Sequence, residues 1–277
     1  MHEILRNLRP GARILDLGAL TGTFPATCCP GALVVRIDLE KPAPGTCDDF
    51  VQADAARLPF PDHCFDAVIA NHSLEHIHGL PAALQEIGRV SRPDGSLFVA
   101  VPDASTFSDR LFRFIYQGDS GHVNPFCSAD ELAADITRAT GLKLHAVRAL
   151  YSSFEYLNRY YFGPRPSWRL WSVANGNRRF IVALSYATRV FDRTFHTRTS
   201  RYGWAFYFGN VGEEVDTASW SNVCVGCGAA HPAPLLQANH LVQRQFLFFQ
   251  SYRCPACAAR NLFTPDSEMP AAAGGAI

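Results

Sequence analysis

Cys224-Val-Gly-Cys227 and Cys254-Pro-Ala-Cys257 are two CxxC pairs with 26 residues (228–253) between them. Each pair delivers two thiolates from one tight turn, and two such turns close a tetrahedral site of the kind that holds structural zinc. The intervening QRQFLFFQSYR has strand character, so residues 222–264 read as a zinc ribbon. Its metal supplies roughly 10 kcal/mol or more of folding free energy to a module too small for a core of its own. A redox pair, or four unconnected thiols, is the alternative. The other five cysteines, at 28, 29, 47, 64 and 127, lack ligand spacing and are expected as buried thiols.

A second set of candidates is acidic. Asp16, Asp38 and Asp54 each fall at the carboxyl end of a predicted strand, the edge of an open parallel sheet where ligands bind. Asp38 follows Asp16 by 22 positions, close to the offset of about 20 at which an acidic side chain meets a ribose hydroxyl in dinucleotide folds. Asp16 itself runs through Leu17 into Gly18 and Gly22, within RILDLGALTGTF. Glycine there permits positive φ and lets the backbone approach a ligand, with the amides of a following helix facing it. A nicotinamide enzyme calls for G-x-G-x-x-G, whereas the run from Gly18 is G-A-L-T-G. A third set is imidazole: His72, His76 and His78 follow the fourth predicted strand, and His122 precedes a capped helix. All could face an acceptor, and His72 and His122 suit a pocket rim, with a cap or a satisfied polar group as the structural alternative for each. Glu75 is expected as a helix-surface or orienting residue.

The elements that must position these groups alternate strand and helix through the first 150 residues, the pattern of a parallel sheet covered on both faces. Strands are expected from Arg13, at 32–37, 50–53, 65–70, 96–101, 144–150 and 204–208. Leu80 to Val90 reads as a helix with Pro81 in its first turn, stopped by the turn Arg92-Pro93-Asp94-Gly95. SADE at 128–131 is a capping box, with Cys127 and Leu132 placed as its hydrophobic staple and Gly141 ending the helix. The first two crossovers are short, so one flank of the sheet is thin.

Lysine plus arginine equals aspartate plus glutamate, 25 against 25, so no global field marks a nucleic-acid or membrane binder. The balance is uneven, because residues 151–203 carry nine arginines against Glu155 and Asp192. Phe180, Leu184, Ala187 and Phe191 in that segment share one helical face. Two uses follow: a helical cap on the sheet edge, or a lid whose arginines meet an anionic or membrane-associated substrate. Residues 222–264 hold only Arg244, Arg253 and Arg260 as fixed positive charges, so nucleic acid is not the expected partner of the ribbon. Unpaired cysteine usage and the lack of a leader or apolar span lead us to expect a cytoplasmic protein.

Over residues 11–150 the chain resembles class I S-adenosylmethionine-dependent methyltransferases. ILDLGALTG is similar to the first family motif, RIDLE to the second, and VQADAARLPFPDHCFDAVIANHSLEHI to the third and fourth, with LPFPD, FDAV and LEHI in the order of one large subgroup. EIGRVSRPDGSLFVAVP and GHVNPFCSADEL resemble later segments. The resemblance implies a Rossmann-like α/β fold with a seven-stranded sheet, interrupted by a helical insertion and followed by the small zinc ribbon. It places Gly18 and Gly22 around the methionine moiety with Asp16 near its amino group, Asp38 on the ribose hydroxyls, and Asp54 with the Ala55 amide at the adenine. Asn71 then lines the methyl donor. The chain departs from the pattern at Leu20, where many relatives carry glycine, which narrows the loop.

Methyl transfer from a sulfonium relieves charge, so orientation is its main requirement. A hydroxyl acceptor also needs a base, for which His72 and His122 rank first and His76 next. The expected organisation is a cofactor-binding core (1–150), an arginine- and aromatic-rich insertion (151–203), a last core strand with a linker (204–221), the ribbon (222–264) and a disordered tail (265–277). The expected enzyme methylates a small molecule or a glycan-type acceptor. Two alternatives stand: an RNA or protein methyltransferase recruited through the ribbon and the basic insertion, and a non-catalytic binding module that retains the fold.

Overall fold

A computed structural model describes residues 1–20, 22–43, 49–116, 121–157, 178–212, 222–224, 227–246 and 249–265. Arg159, Arg165, Arg169, Cys47 and the tail beyond Pro265 lie outside the described residues. The strands are β1 (Arg13–Leu17), β2 (Leu33–Asp38), β3 (Phe50–Gln52), β4 (Phe65–Asn71), β5 (Ser91–Pro102), β6 (Leu144–Tyr151), β7 (Arg201–Gly209), β8 (Val242–Phe246), β9 (Phe249–Arg253) and β10 (Arg260–Leu262). The helices are α1 (His2–Arg6), α2 (Leu80–Val90), α3 (Phe107–Tyr116), α4 (Ala129–Thr140), α5 (Arg178–Phe195) and α6 (Ala233–Ala238). One sheet has seven strands in the order β3-β2-β1-β4-β5-β7-β6, and a second has three in the order β10-β9-β8. Strands β3, β2, β1, β4 and β5 pair in parallel, and the sheet order reverses between β1 and β4. In open α/β sheets that reversal opens a crevice at the carboxyl ends of the strands.

The chain divides into two compact units. The first is Met1–Pro102, Gly121–Arg148 and Trp204–Ala218; the second is Asp103–Ser120, Ala149–Gly203 and Ser219–Ile277. The insertion and the cysteine module therefore belong to the same unit.

In the first unit the sheet is near-continuously apolar, because both faces of a parallel sheet are covered. Leu15, Val68, Val99 and Phe206 are fully buried with Leu84, Ile87 and Val90 from α2 and Leu132 and Ile136 from α4. Each large apolar side chain buried this way contributes about 1.5–3 kcal/mol. α2 starts at Gly79, carries Pro81 in its first turn and ends at Val90, the expected bounds. Gly88 lets α4 pass against α2: a Cβ there would lie 2.6 Å from the Ala139 carbonyl oxygen and 2.7 Å from Thr140 Cα. α4 begins with the Ser128 hydroxyl accepting from the Glu131 amide and ends at Gly141 with φ of +71°.

Several expectations need correction. Arg92-Pro93-Asp94-Gly95 is not a free-standing turn but part of β5, whose register on β4 jumps from Phe65↔Ser91 to Ala67↔Ser96 and bulges those residues out. Cys127 is exposed and Phe126, the larger apolar neighbour, packs on the core in its place. Of the described cysteines expected as buried thiols, only Cys29 is buried. The first short crossover holds, with a single turn at Ala26–Cys28 between β1 and β2; the second lies partly outside the described residues. α1 was not foreseen; Glu3 on it bonds Arg148 of β6 at 2.6 Å, and Arg148 also reaches the Tyr207 hydroxyl at 3.1 Å.

In the second unit α5 forms where the aromatic spacing predicts a helix, and Phe180 and Leu184 of the expected face pack against Ile115, Phe154 and Ile181, yet the most buried residues lie beside that face. Ile181, Ser185, Thr188 and Arg189 are buried, whereas Ala187 and Phe191 are exposed. The polar members are satisfied internally: Ser185 donates to the Ile181 carbonyl at 2.9 Å and Thr188 to that of Leu184 at 3.0 Å. Arg189 lies over the Tyr151 ring at 4.8 Å and donates to Thr264 Oγ1 at 2.7 Å. One of the insertion's arginines is thus turned inward onto the end of the cysteine module rather than outward to a ligand. No helix among the described residues is long and apolar enough to cross a membrane.

Candidate functional site

β1 delivers Asp16 into a fully buried position one residue before its end. The Thr23 amide donates to Asp16 Oδ2 at 3.0 Å, the Thr23 hydroxyl bonds Oδ1, and Arg36 Nε stands 3.8 Å from Oδ2. Burial is the largest influence on this carboxyl and raises its pKa, against the Thr23 hydrogen bonds and the Arg36 charge, which lower it. Asp16 therefore locks the glycine turn from beneath.

The turn folds over the end of β2. The amides of Gly18 and Ala19 both donate to the Ile37 carbonyl, at 2.9 and 3.1 Å. Gly18 and Gly22 take φ of +70° and +97°, which an L side chain rarely adopts. The requirement at Gly18 is also steric: an added Cβ would sit 2.5 Å from Ser73 Cβ. Leu20 takes φ of +38° and exposes 42% of its surface, so a glycine conformation is occupied by a leucine at a cost of about 1 kcal/mol.

Asp38 ends β2, and its carboxylate accepts from the Leu20 amide and the Glu40 amide, each at 3.2 Å. The Ala53 amide donates to the Asp38 carbonyl at 3.1 Å, which brings the end of β3 alongside. Asp54 lies two residues past β3, exposed, and caps its own turn by accepting from the Ala56 amide at 2.9 Å; Ala55 is buried. Asn71 ends β4 opposite Ala100. The four strand ends that carry Asp16, Asp38, Asp54 and Asn71 are thus neighbours in the sheet.

The LPFPD segment is held by a residue that sequence reasoning missed. Arg89 on α2 donates to the Phe60 carbonyl and Asp62 through Nη1, at 2.7 and 2.8 Å, and to the Leu58 carbonyl through Nη2 at 3.0 Å. Its guanidinium also meets both oxygens of Glu86, which accepts the Leu58 amide at 2.7 Å. An arginine three residues after a glutamate on a helix is an ordinary surface pair; only the fold places the loop carbonyls within the guanidinium fork.

Three of the four candidate histidines fall into one cluster. His72 takes φ of +55° just past β4, donates its amide to the Ala100 carbonyl, and holds Nδ1 3.6 Å from Glu75 Oε1. Glu75 is in a short turn, Leu74–His76, and is 1% exposed. Of its two expected places the helix surface is overturned, because the turn points it inward, whereas its position beside His72 fits an orienting residue. The His76 and His122 rings meet edge to face at 4.9 Å, and His76 Nδ1 lies 3.0 Å from the Gly121 carbonyl oxygen. The amides of Val123 and Asn124 donate to the Glu75 carbonyl, at 2.8 and 3.1 Å. Asn124 Nδ2 reaches the carbonyls of Leu74 and Ile77. LEHI and GHVN, 45 positions apart at His76 and Gly121, are therefore one hydrogen-bonded unit. His78 is exposed and has no part in it.

In the second unit the four sulfurs of Cys224, Cys227, Cys254 and Cys257 lie within 4.8 Å of one another. Cys224 and Cys257 are 3.5 Å apart and Cys227 and Cys254 3.7 Å; tetrahedral ligands at a Zn–S distance of about 2.3 Å stand about 3.8 Å apart. The two turns match. Gly228 and Ala258 donate to the carbonyls of Cys224 and Cys254, and those cysteines donate to the carbonyls of Ala229 and Ala259. Around the sulfurs, Asn261 Nδ2 reaches Cys224 at 3.5 Å and His231 Nε2 reaches Cys254 at 3.2 Å.

Comparison with known proteins gives the frame. A family model described as a methyltransferase domain matches residues 1–147. A demethylmenaquinone methyltransferase of Beutenbergia cavernae is 42% identical over 101 residues, 33% of this chain and 41% of that protein. Another, of Corynebacterium glutamicum, is 38% identical over 116 residues, 40% of this chain and 50% of that one. The chain spans about half the length of the curated relatives it matches. The fold is that of a SAM-dependent methyltransferase from Archaeoglobus fulgidus, with a TM-score of 0.50 at 18% identity over 74% of this chain and 87% of that one.

Proposed function

Because the chain belongs to the methyltransferase domain family, we propose that its first unit binds S-adenosylmethionine at the β1–β4 strand ends and methylates a small-molecule acceptor. The observation that carries this is the glycine turn clamped between Asp16 beneath and Asp38 beside it. Its Gly18 conformation and the Gly18–Ser73 contact leave backbone, rather than side chain, facing the ligand. Asp38 receives the ribose hydroxyls, Asp54 and Ala55 the adenine edge, and Asn71 borders the methyl group. The donor supplies an electrophilic sulfonium methyl; the protein orients it and excludes water, for which alignment within about 3 Å is worth on the order of 7–11 kcal/mol.

The relatives' printed names favour a quinone-type small molecule as the acceptor class, and a hydroxyl on the acceptor would need a base. His72, His76 and His122 are the candidates to take a proton from it. A glycan or a membrane-associated substrate has only the insertion's arginines in its favour, and Arg189 is buried. The four cysteines hold structural zinc in a ribbon, supported by the sulfur spacing and by the donors around it. Calorimetry with S-adenosylmethionine tests the pocket: binding that Asp38→Ala and Asp54→Ala weaken at least tenfold is expected, and unchanged affinity in both would falsify the assignment. Metal analysis of the same protein should find zinc held at the cysteines and released by Cys254→Ser.

A further inference from the structure

We propose that Glu75, His76 and His122 form a second metal site, one that takes a divalent first-row cation and keeps coordination positions open. One ligand atom from each lies within 4.8 Å of the others. Two imidazoles and one carboxylate are the donor set that suits zinc or iron(II) with vacant positions, and the absence of thiolate separates it from the four-cysteine site.

Three features distinguish this cluster from a chance meeting of polar side chains. Glu75 has a side chain only 2% exposed, and its Oε2 is buried with no hydrogen-bond partner. A buried carboxylate oxygen left so is costly, and a cation beside it supplies the missing partner. His76 Nδ1 is engaged by the Gly121 carbonyl, which fixes that nitrogen as the protonated one and leaves Nε2 as the nitrogen able to ligate. This is the outer-shell carbonyl contact that ligating histidines make. The histidines are also set by backbone rather than by chance rotamers, because the Val123 and Asn124 amides and the Asn124 side chain pin the 121–124 segment to the Leu74–His76 turn. A Cβ at Gly121 would stand 3.1 Å from His76 Nδ1, so the approach depends on glycine.

Bound at about 2.1 Å, the ion draws its ligand atoms to about 3–3.5 Å apart. That is a closure of an ångström or so, and exposed His76 can make it by side-chain rotation. The turn begins three residues after Asn71, so the cluster stands at the strand end that carries Asn71. Resting on the methyl-transfer reading, the consequence is that a hydroxyl acceptor binds the ion through its oxygen and gives its proton to His72, the one candidate base that is not a ligand, before that oxygen takes the methyl group.

The test is calorimetric titration of Zn²⁺ into full-length protein whose cysteine site is already filled, with metal content measured before and after. One further site per chain is expected, weakened at least tenfold in His76→Ala and in His122→Ala and unaffected by His78→Ala. Glu75→Gln is a third variant, and the two histidine changes at partly exposed positions keep the test valid if it fails to fold. No uptake beyond the cysteine site, or uptake that His76→Ala and His122→Ala leave unchanged, overturns the proposal. S-adenosylmethionine titration of the same samples separates the two readings, since retained donor binding with no second metal refutes only this one.

Discussion

Replacing Gly18 by alanine perturbs the pocket by one methyl group whose effect can be worked out. Gly18 has φ of +70°, so alanine pays about 1 kcal/mol or slightly more for a left-handed backbone. The new Cβ would also stand 2.5 Å from Ser73 Cβ, where relaxed carbon contacts lie at about 3.5–4.0 Å. Ser73 is 4% exposed and cannot simply swing into solvent. Overpacking of that kind costs about 1–3 kcal/mol, which makes about 2–4 kcal/mol in all, a large share of a typical 5–15 kcal/mol stability. The two parts can be separated. Ser73→Gly removes the atom that clashes and leaves the backbone cost, so in that background Gly18→Ala should lose only about 1 kcal/mol. Urea unfolding of the four proteins in this cycle measures both terms. A Gly18→Ala protein within about 0.5 kcal/mol of the parent, or a loss of the same size with and without the Ser73 side chain, would refute the account of the turn.

Three further outcomes are expected. Gly88→Ala forces a Cβ against the backbone of α4 and should lower stability by about 3 kcal/mol in the same unfolding assay. Ala258 holds φ of +61° where the matching turn has Gly228 at +69°; Ala258→Gly should raise the unfolding free energy, measured by urea denaturation, by about 0.5–1 kcal/mol. Burial raises the Asp192 pKa, but donors from Ser200, Thr197 and Thr199 outweigh it and the net shift is downward. A carboxylate whose folded pKa is depressed stabilises above its unfolded value of about 3.9 and loses that contribution as pH falls through the folded one. The stability gap between the parent and Asp192→Asn should therefore be full at pH 7 and close below about pH 4, as thermal melts across that range would record.

What the sequence displays of this fold is what periodicity and turn chemistry encode locally. The strands β1 to β7, α2 to the residue and the Ser128 cap of α4 follow from apolar runs, Pro81 and Gly141. Illegible were features decided by partners distant in the chain. On α5, Phe180 and Leu184 of the expected face do pack, but Ala187 and Phe191 are exposed and the most buried residues are Ile181, Ser185, Thr188 and Arg189. Hydroxyls that bond their own helix carbonyls and an arginine over Tyr151 are polar in sequence and core in the fold. Arg89 escaped for the same reason: its importance lies in carbonyls 29 and 31 residues away and in the Asp62 carboxylate 27 away.

The candidate sites divide along the same line. The cysteine spacing predicts a cluster without any knowledge of the fold, because each CxxC turn is local and only two must meet. Asp16, Asp38 and Asp54 are visible as strand-end residues, yet their different employments, buried lock, loop acceptor and turn cap, emerge only from the hydrogen bonds. Glu75 shows the limit most plainly. Its neighbours suggest a surface residue, and the contact between 74–77 and 121–124 that surrounds it has no local signal.

The central claim is that the clamped glycine turn and Asp38 hold a methyl donor. Equilibrium binding of S-adenosylmethionine to the parent, Asp38→Ala and Gly18→Ala proteins, each checked for folding by circular dichroism, tests it most directly. Saturable binding to the parent, lost at least tenfold in both variants, is the predicted result. A folded parent that does not bind the donor, or variants that bind it as tightly as the parent, would contradict the account.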